Sequence, residues 1–90
     1  AGQTGSGMVT INKKAFTVTL NMPNVELAEG DWVEYKINNS EVEVDSVIMA
    51  NTNKAASVII HTVLGGSFIA RITSLTLPID TDIKLNCIIL

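Results

Sequence analysis

The sequence predicts an all-β chain, folded as an antiparallel β-sandwich (jelly-roll-like) of about seven or eight short strands. Three observations carry this expectation. Apolar and polar residues alternate over most of the chain, as in Phe16-Thr17-Val18-Thr19-Leu20, which is the period of a strand with one buried face. Hydrophobic residues make up 47% of the chain but aromatic ones only 4%, so the core must come from Val, Ile and Leu, whose β-branched members suit a pleated surface. No ten-residue window spaces apolar residues by three and four, and turn residues recur between the runs. Ninety residues make room for one domain. It is expected over residues 8–90, behind a flexible lead-in at residues 1–7. That lead-in, AGQTGSG, is small, polar and glycine-rich, like a linker or an expression remnant.

The elements follow in order. Val9 and Ile11 alternate with Thr10 and Asn12, and Lys13-Lys14 makes a short turn into the run Phe16 to Leu20. Asn21-Met22-Pro23-Asn24 ends that strand, because proline cannot donate to a ladder. After the turn Ala28-Glu29-Gly30-Asp31 comes Trp32 to Asn38, with Val33, Tyr35 and Ile37 on one face and Glu34 and Lys36 on the other. Asn38-Asn39-Ser40 is a turn. Glu41 to Asp45 alternates again and reads as a short edge strand whose carboxylates discourage pairing with other chains. Ser46 to Ala50 is a short apolar strand, and residues 51–56 form a polar loop.

The stretch VIIHTVLGGSFIARI, Val58 to Ile72, is a hairpin, because Gly65-Gly66 suits a two-residue turn with positive φ. Both of its faces are apolar. Val58, Ile60 and Leu64 share one face and Ile59 and Val63 the other; after the turn, Phe68, Ala70 and Ile72 oppose Ile69. Leu75 to Thr81, with Pro78, connects to a last strand in which Ile83, Leu85, Cys87 and Ile89 line one face, and Ile88 and Leu90 the other.

Several functions are disfavoured. The net charge is −3 and the six basic residues are scattered, so no basic stripe tracks a nucleic-acid backbone. No apolar run reaches the length of a membrane span. The single Cys87 excludes an internal disulfide and has no basic sequence neighbour to make it a thiolate. The one histidine, His61, lies mid-strand among apolar residues, where a surface or contact role is far more common than a catalytic one. Asp80 with Asp82, and Glu26, Glu29 and Asp31 near Gly30, are acidic groups without the oxygen count of a calcium loop. Gly65-Gly66 lies between strands and opens no helix, so it is no phosphate cradle. Neither a catalytic site, a metal nor a cofactor is expected.

What remains is surplus apolar surface with no helix to cover it. Ile59, Val63, Ile69, Ile88 and Leu90 are the candidate oligomer-interface residues, to be covered by a neighbouring copy in a symmetric homo-oligomer. A second reading is a carbohydrate-binding module with Trp32 and Tyr35 against the sugar.

The runs NSEVEVDSVIMANTN, ASVIIHTV, GGSFIARITSL and DTDIKLNCIIL resemble a domain of tailed-bacteriophage virion proteins. So does the opening from Gly7-Met8-Val9-Thr10-Ile11-Asn12-Lys13, and the likeness spans nearly the whole chain after residue 7. Thr73-Ser74 stands where that pattern often carries an asparagine, and Cys87 where it often carries an aromatic. The resemblance implies a non-enzymatic structural protein located in the virion. It would be a capsid-decoration or head-fibre domain, or a module of a tail fibre or spike. Its partners would be other copies of itself, as a trimer, other virion proteins, and a host-surface glycan if the module is a receptor-binding tip.

Overall fold

The computed structural model describes residues 2–20, 27–75 and 82–90. Among these residues seven strands follow one another: β1 (Gln3–Thr10), β2 (Ala15–Leu20), β3 (Trp32–Asn38), β4 (Ile48–Thr52), β5 (Ala56–Leu64), β6 (Ser67–Ser74) and β7 (Ile83–Ile89). They form a four-stranded sheet, in the order β1-β3-β6-β5, and a three-stranded sheet, in the order β2-β7-β4. Among the described residues there is no helix. The chain is a small β-sandwich, as its alternation predicts.

The core lies between the sheets. β6 contributes Phe68, Ala70 and Ile72, and β3 contributes Val33 and Ile37. From the other sheet come Leu20 of β2 and Ile83, Leu85, Cys87 and Ile89 of β7. β7 shows the clearest alternation, with every second residue buried, because it is the centre strand of its sheet and only one of its faces meets the core. The two sheets leave two outer faces, one on each side of the sandwich.

Four expectations need correction. The pairing is not wholly antiparallel: β1 runs parallel to β3. A parallel pair requires a long crossover, and here the chain leaves β1, passes through β2 in the other sheet and returns to β3. The lead-in also belongs largely to the fold, since β1 begins at Gln3 and pairs with β3 from there. Gly7 serves the packing: a Cβ there would lie 2.4 Å from Cε2 of Tyr35, so only glycine lets that ring lie against the strand.

The third correction concerns Glu41 to Asp45, which is a pair of turns and not an edge strand. Val42 alone is buried. Its N–H donates to Asn39 O and its carbonyl accepts from Gly66 N, while the Glu43 N–H donates to the Ser46 hydroxyl. Those bonds take the backbone groups a ladder would have used.

The fourth concerns the hairpin. It has its Gly65-Gly66 turn, with Gly66 at φ 90°, but β5 carries a bulge between His61 and Leu64. His61 stands opposite Ile69 and Leu64 opposite Ser67, so Thr62 and Val63 together oppose Phe68. Thr62 takes φ 52°, a costly conformation for a β-branched residue. A bulge shifts the side-chain alternation by one. Val63 therefore packs against the core, and Leu64 is the exposed residue. The reading of Asn21 to Asn24, and that of the connection through Pro78, lie outside the described residues.

Candidate assembly faces

The outer face of the three-stranded sheet is built in rows across β2, β7 and β4. Ala15, Ile88 and Met49 stand in one row, and Thr17, Asn86 and Asn51 in the next. Beyond the first row Leu90 donates its N–H to Val47 O, which extends the apolar end of the face. Val47, Met49, Ile88 and Leu90 are each about half exposed or more. The other end is polar: the Thr17 hydroxyl donates to the Asn86 side-chain oxygen, and the Lys84 N–H donates to Asn53 Oδ1. Between the two ends lies a shallow hollow of about 470 Å³, lined by Ala15, Thr17, Met49, Asn51, Asn86 and Ile88 among others. Four large apolar side chains meeting on one open sheet face is more than the scattered exposure ordinary for a protein surface.

The outer face of the four-stranded sheet is chemically different. Strand register sets Glu34 opposite Arg71 and Trp32 opposite Thr73, with Ile59 on the far side of Arg71 and His61 beside Ile69. Glu34 Oε2 accepts from His61 Nε2 at 2.9 Å and from Arg71 Nε at 2.9 Å. Nδ1 of the same ring lies 2.8 Å from the Thr62 hydroxyl oxygen. The Arg71 guanidinium lies over the Trp32 ring, 5.0 Å from its centroid, a cation–π arrangement.

The five interface candidates do not form one surface. Ile88 and Leu90 lie on the apolar end of the three-stranded sheet, while Ile59 and Ile69 lie on the opposite side of the molecule beside Arg71. Val63 is turned inward by the bulge. Sequence reasoning misses Met49 and Val47, although both alternate with Ile48, because residues 47–50 are apolar on both faces. Trp32 and Tyr35 do not share a face either. Trp32 points outward under Arg71, while Tyr35 packs against the core, where burial, and then the Asp82 carboxylate, push its phenol up.

Cys87 is 1% exposed, and burial pushes its thiol up to about 11, so it behaves as a small hydrophobe. Among the described residues no group of three or more His, Cys, Asp or Glu is placed to hold a metal ion. Thr62, His61 and Glu34 form a hydrogen-bonded chain, but Glu34 is shared with Arg71 and the large hollow lies on the other sheet.

The His61 ring N–H, and then the Arg71 guanidinium, hold the Glu34 carboxyl below its ordinary value of 4.5. A depressed carboxylate stabilises the fold above its unfolded pKa, and that share is lost as pH falls through the folded pKa. The urea midpoint of the wild type is therefore expected to fall on acidification below the ordinary carboxylate range. Glu34→Gln is expected to show a shallower acid slope; an identical slope in the two proteins would show that Glu34 contributes nothing.

No family model, no curated protein and no solved structure matches this chain.

Proposed function

We propose that the chain is a non-enzymatic structural module of a tailed-bacteriophage virion, a capsid-decoration domain or a piece of a tail fibre or spike, that works by homo-oligomeric assembly, as a trimer. The observation that carries the assembly is the apolar end of the three-stranded sheet: Val47, Met49, Ile88 and Leu90. Covering each of these part-exposed side chains contributes roughly 1–2 kcal/mol. Four of them per copy offset much of the rigid-body entropy that association costs. The virion setting rests on the likeness of the strand-and-turn pattern to phage domains.

Ile88→Asp tests the assembly. Ile88 is about half exposed, so the isolated domain tolerates the change, while a carboxylate in the buried contact does not survive without a partner. At high salt the mass by light scattering is expected to fall to that of one chain, whereas Ile59→Asp, on the opposite sheet, leaves the closed oligomer whole. An unchanged mass for Ile88→Asp removes this face from the interface.

A carbohydrate-binding reading has one observation in its favour, the hollow itself, where the Thr17–Asn86–Asn51 row stands beside apolar Met49 and Ile88. It moves the sugar away from Trp32 and Tyr35. Glycan-array binding abolished by Asn86→Ala but kept in Trp32→Ala would favour it.

A further inference from the structure

The outer face of the four-stranded sheet carries a cation set for a partner. Arg71 has its Nε committed to Glu34 and its guanidinium laid over Trp32. Two contacts thus fix the side chain before any ligand arrives. Its terminal nitrogens make no hydrogen bond among the described residues, and they present the edge that receives a carboxylate in two parallel bonds. Lys36 stands two positions from Glu34 on the same face, opposite Ile69, and makes no ion pair among the described residues. Among the described residues Glu34 is the only acid on that face, and its charge is already engaged by His61 and Arg71. Ile59 and Ile69 flank Arg71 with apolar surface.

The same chain displays the complement. The β3–β4 loop exposes Glu41, Glu43 and Asp45, none of them in an ion pair among the described residues. Val44, between the last two, is 72% exposed. The Ser46–Glu43 turn bonds hold the loop in shape. An acidic tip with one projecting aliphatic residue matches a basic face with flanking aliphatics in charge and in hydrophobicity.

We infer that the Glu43-Val44-Asp45 tip of one copy docks on the Arg71–Lys36 face of another. The two surfaces differ, so the contact is heterologous. It extends the proposed assembly and rests on that reading for its setting. If the three-stranded sheets face inward in the oligomer, the four-stranded sheets face outward, and the loop joins one oligomer to the next. The contact is charged and exposed, so salt weakens it, unlike the apolar contact.

Sedimentation velocity at low and high salt tests the inference. The wild type at low salt is expected to show a species heavier than the closed oligomer, and high salt to remove it. Arg71→Glu and the double variant Glu43→Lys/Asp45→Lys are each expected to lose that species. Mixing the two variants restores it, with association about tenfold or more tighter than either alone. Lys36→Glu carries the same test if Arg71→Glu fails to fold, since Lys36 holds no structural bond. Absence of a salt-sensitive species in the wild type, or a mixture no heavier than its parts, overturns the inference. Ile88→Asp separates the two contacts: it removes the closed oligomer but leaves the salt-sensitive association of single chains. Loss of only the salt-sensitive species, in any variant, leaves the apolar contact standing.

Discussion

Phe68→Ala is expected to lower the free energy of unfolding by about 3–5 kcal/mol. Phe68 is fully buried on β6, an inner strand of the four-stranded sheet, opposite Ile37 of β3. It is also the one residue that faces the two-residue bulge of β5. The loss combines the transfer energy of the ring with the cavity it leaves. Neighbouring Ile37, Ala70 and Val63 belong to strands whose ladders hold their backbones apart, so the site collapses little. A domain of this size has about 5–15 kcal/mol of stability in all, and the variant is expected to be partly unfolded without denaturant. Urea unfolding checks this; a loss below about 1 kcal/mol would mean that the two sheets do not close around this ring.

Asn39→Ala is expected to cost about 1–3 kcal/mol, because it leaves two part-buried backbone groups without their partner at once. The Asn39 side chain is 1% exposed. Its amide donates to Lys13 O and its side-chain oxygen accepts from the Glu41 N–H. Its own backbone N–H donates to Gly66 O, and Gly66 N donates to Val42 O. One residue thus ties the β1–β2 link, the β3–β4 loop and the β5–β6 turn at one end of the sandwich. Asn39→Asp separates the roles. It keeps the acceptor for Glu41 but sets a carboxylate against the Lys13 carbonyl. Its destabilisation is expected to be largest at neutral pH and to shrink as the new group protonates. A cost below about 0.5 kcal/mol for Asn39→Ala, the range of an ordinary surface substitution, would show that these bonds are not what locks this end.

The parts of this fold legible from sequence are those where side chains carry the signal. β2, β3 and β7 alternate because one face of each meets the core, and Gly65-Gly66 marks the hairpin. Of β1 only the end is legible, where Val9 and Ile11 alternate with Thr10 and Asn12; its glycines offer no alternation, and the place of Gln3 to Gly7 comes from pairing with β3 and from the space Gly7 leaves for Tyr35. Glu41 to Asp45 shows the converse, an alternation in which only Val42 is buried and side chain–backbone bonds outcompete the ladder. The bulge at Thr62 has no sequence mark, since a β-branched residue is among the least suited to positive φ. It reversed the assignment of Val63. The apolar face was half legible: Ile88 and Leu90 stood out in the last strand, but that Met49 and Val47 adjoin them follows only from the β4–β7 register. The Glu34–His61–Arg71 cluster joins residues 27 and 37 positions apart, a distance that only strand pairing closes.

Methionine oxidation tests assembly through the three-stranded sheet most directly. Met49 on that face is 59% exposed in the single chain, and Met8 on the opposite sheet is 68% exposed. A lone domain therefore oxidises both thioethers at similar rates under dilute peroxide. In the assembled protein, at high salt to remove the charged contact, Met49 is expected to be protected while Met8 reacts, and Ile88→Asp to abolish the difference. Equal oxidation of Met8 and Met49 in the concentrated wild type would contradict assembly through this face.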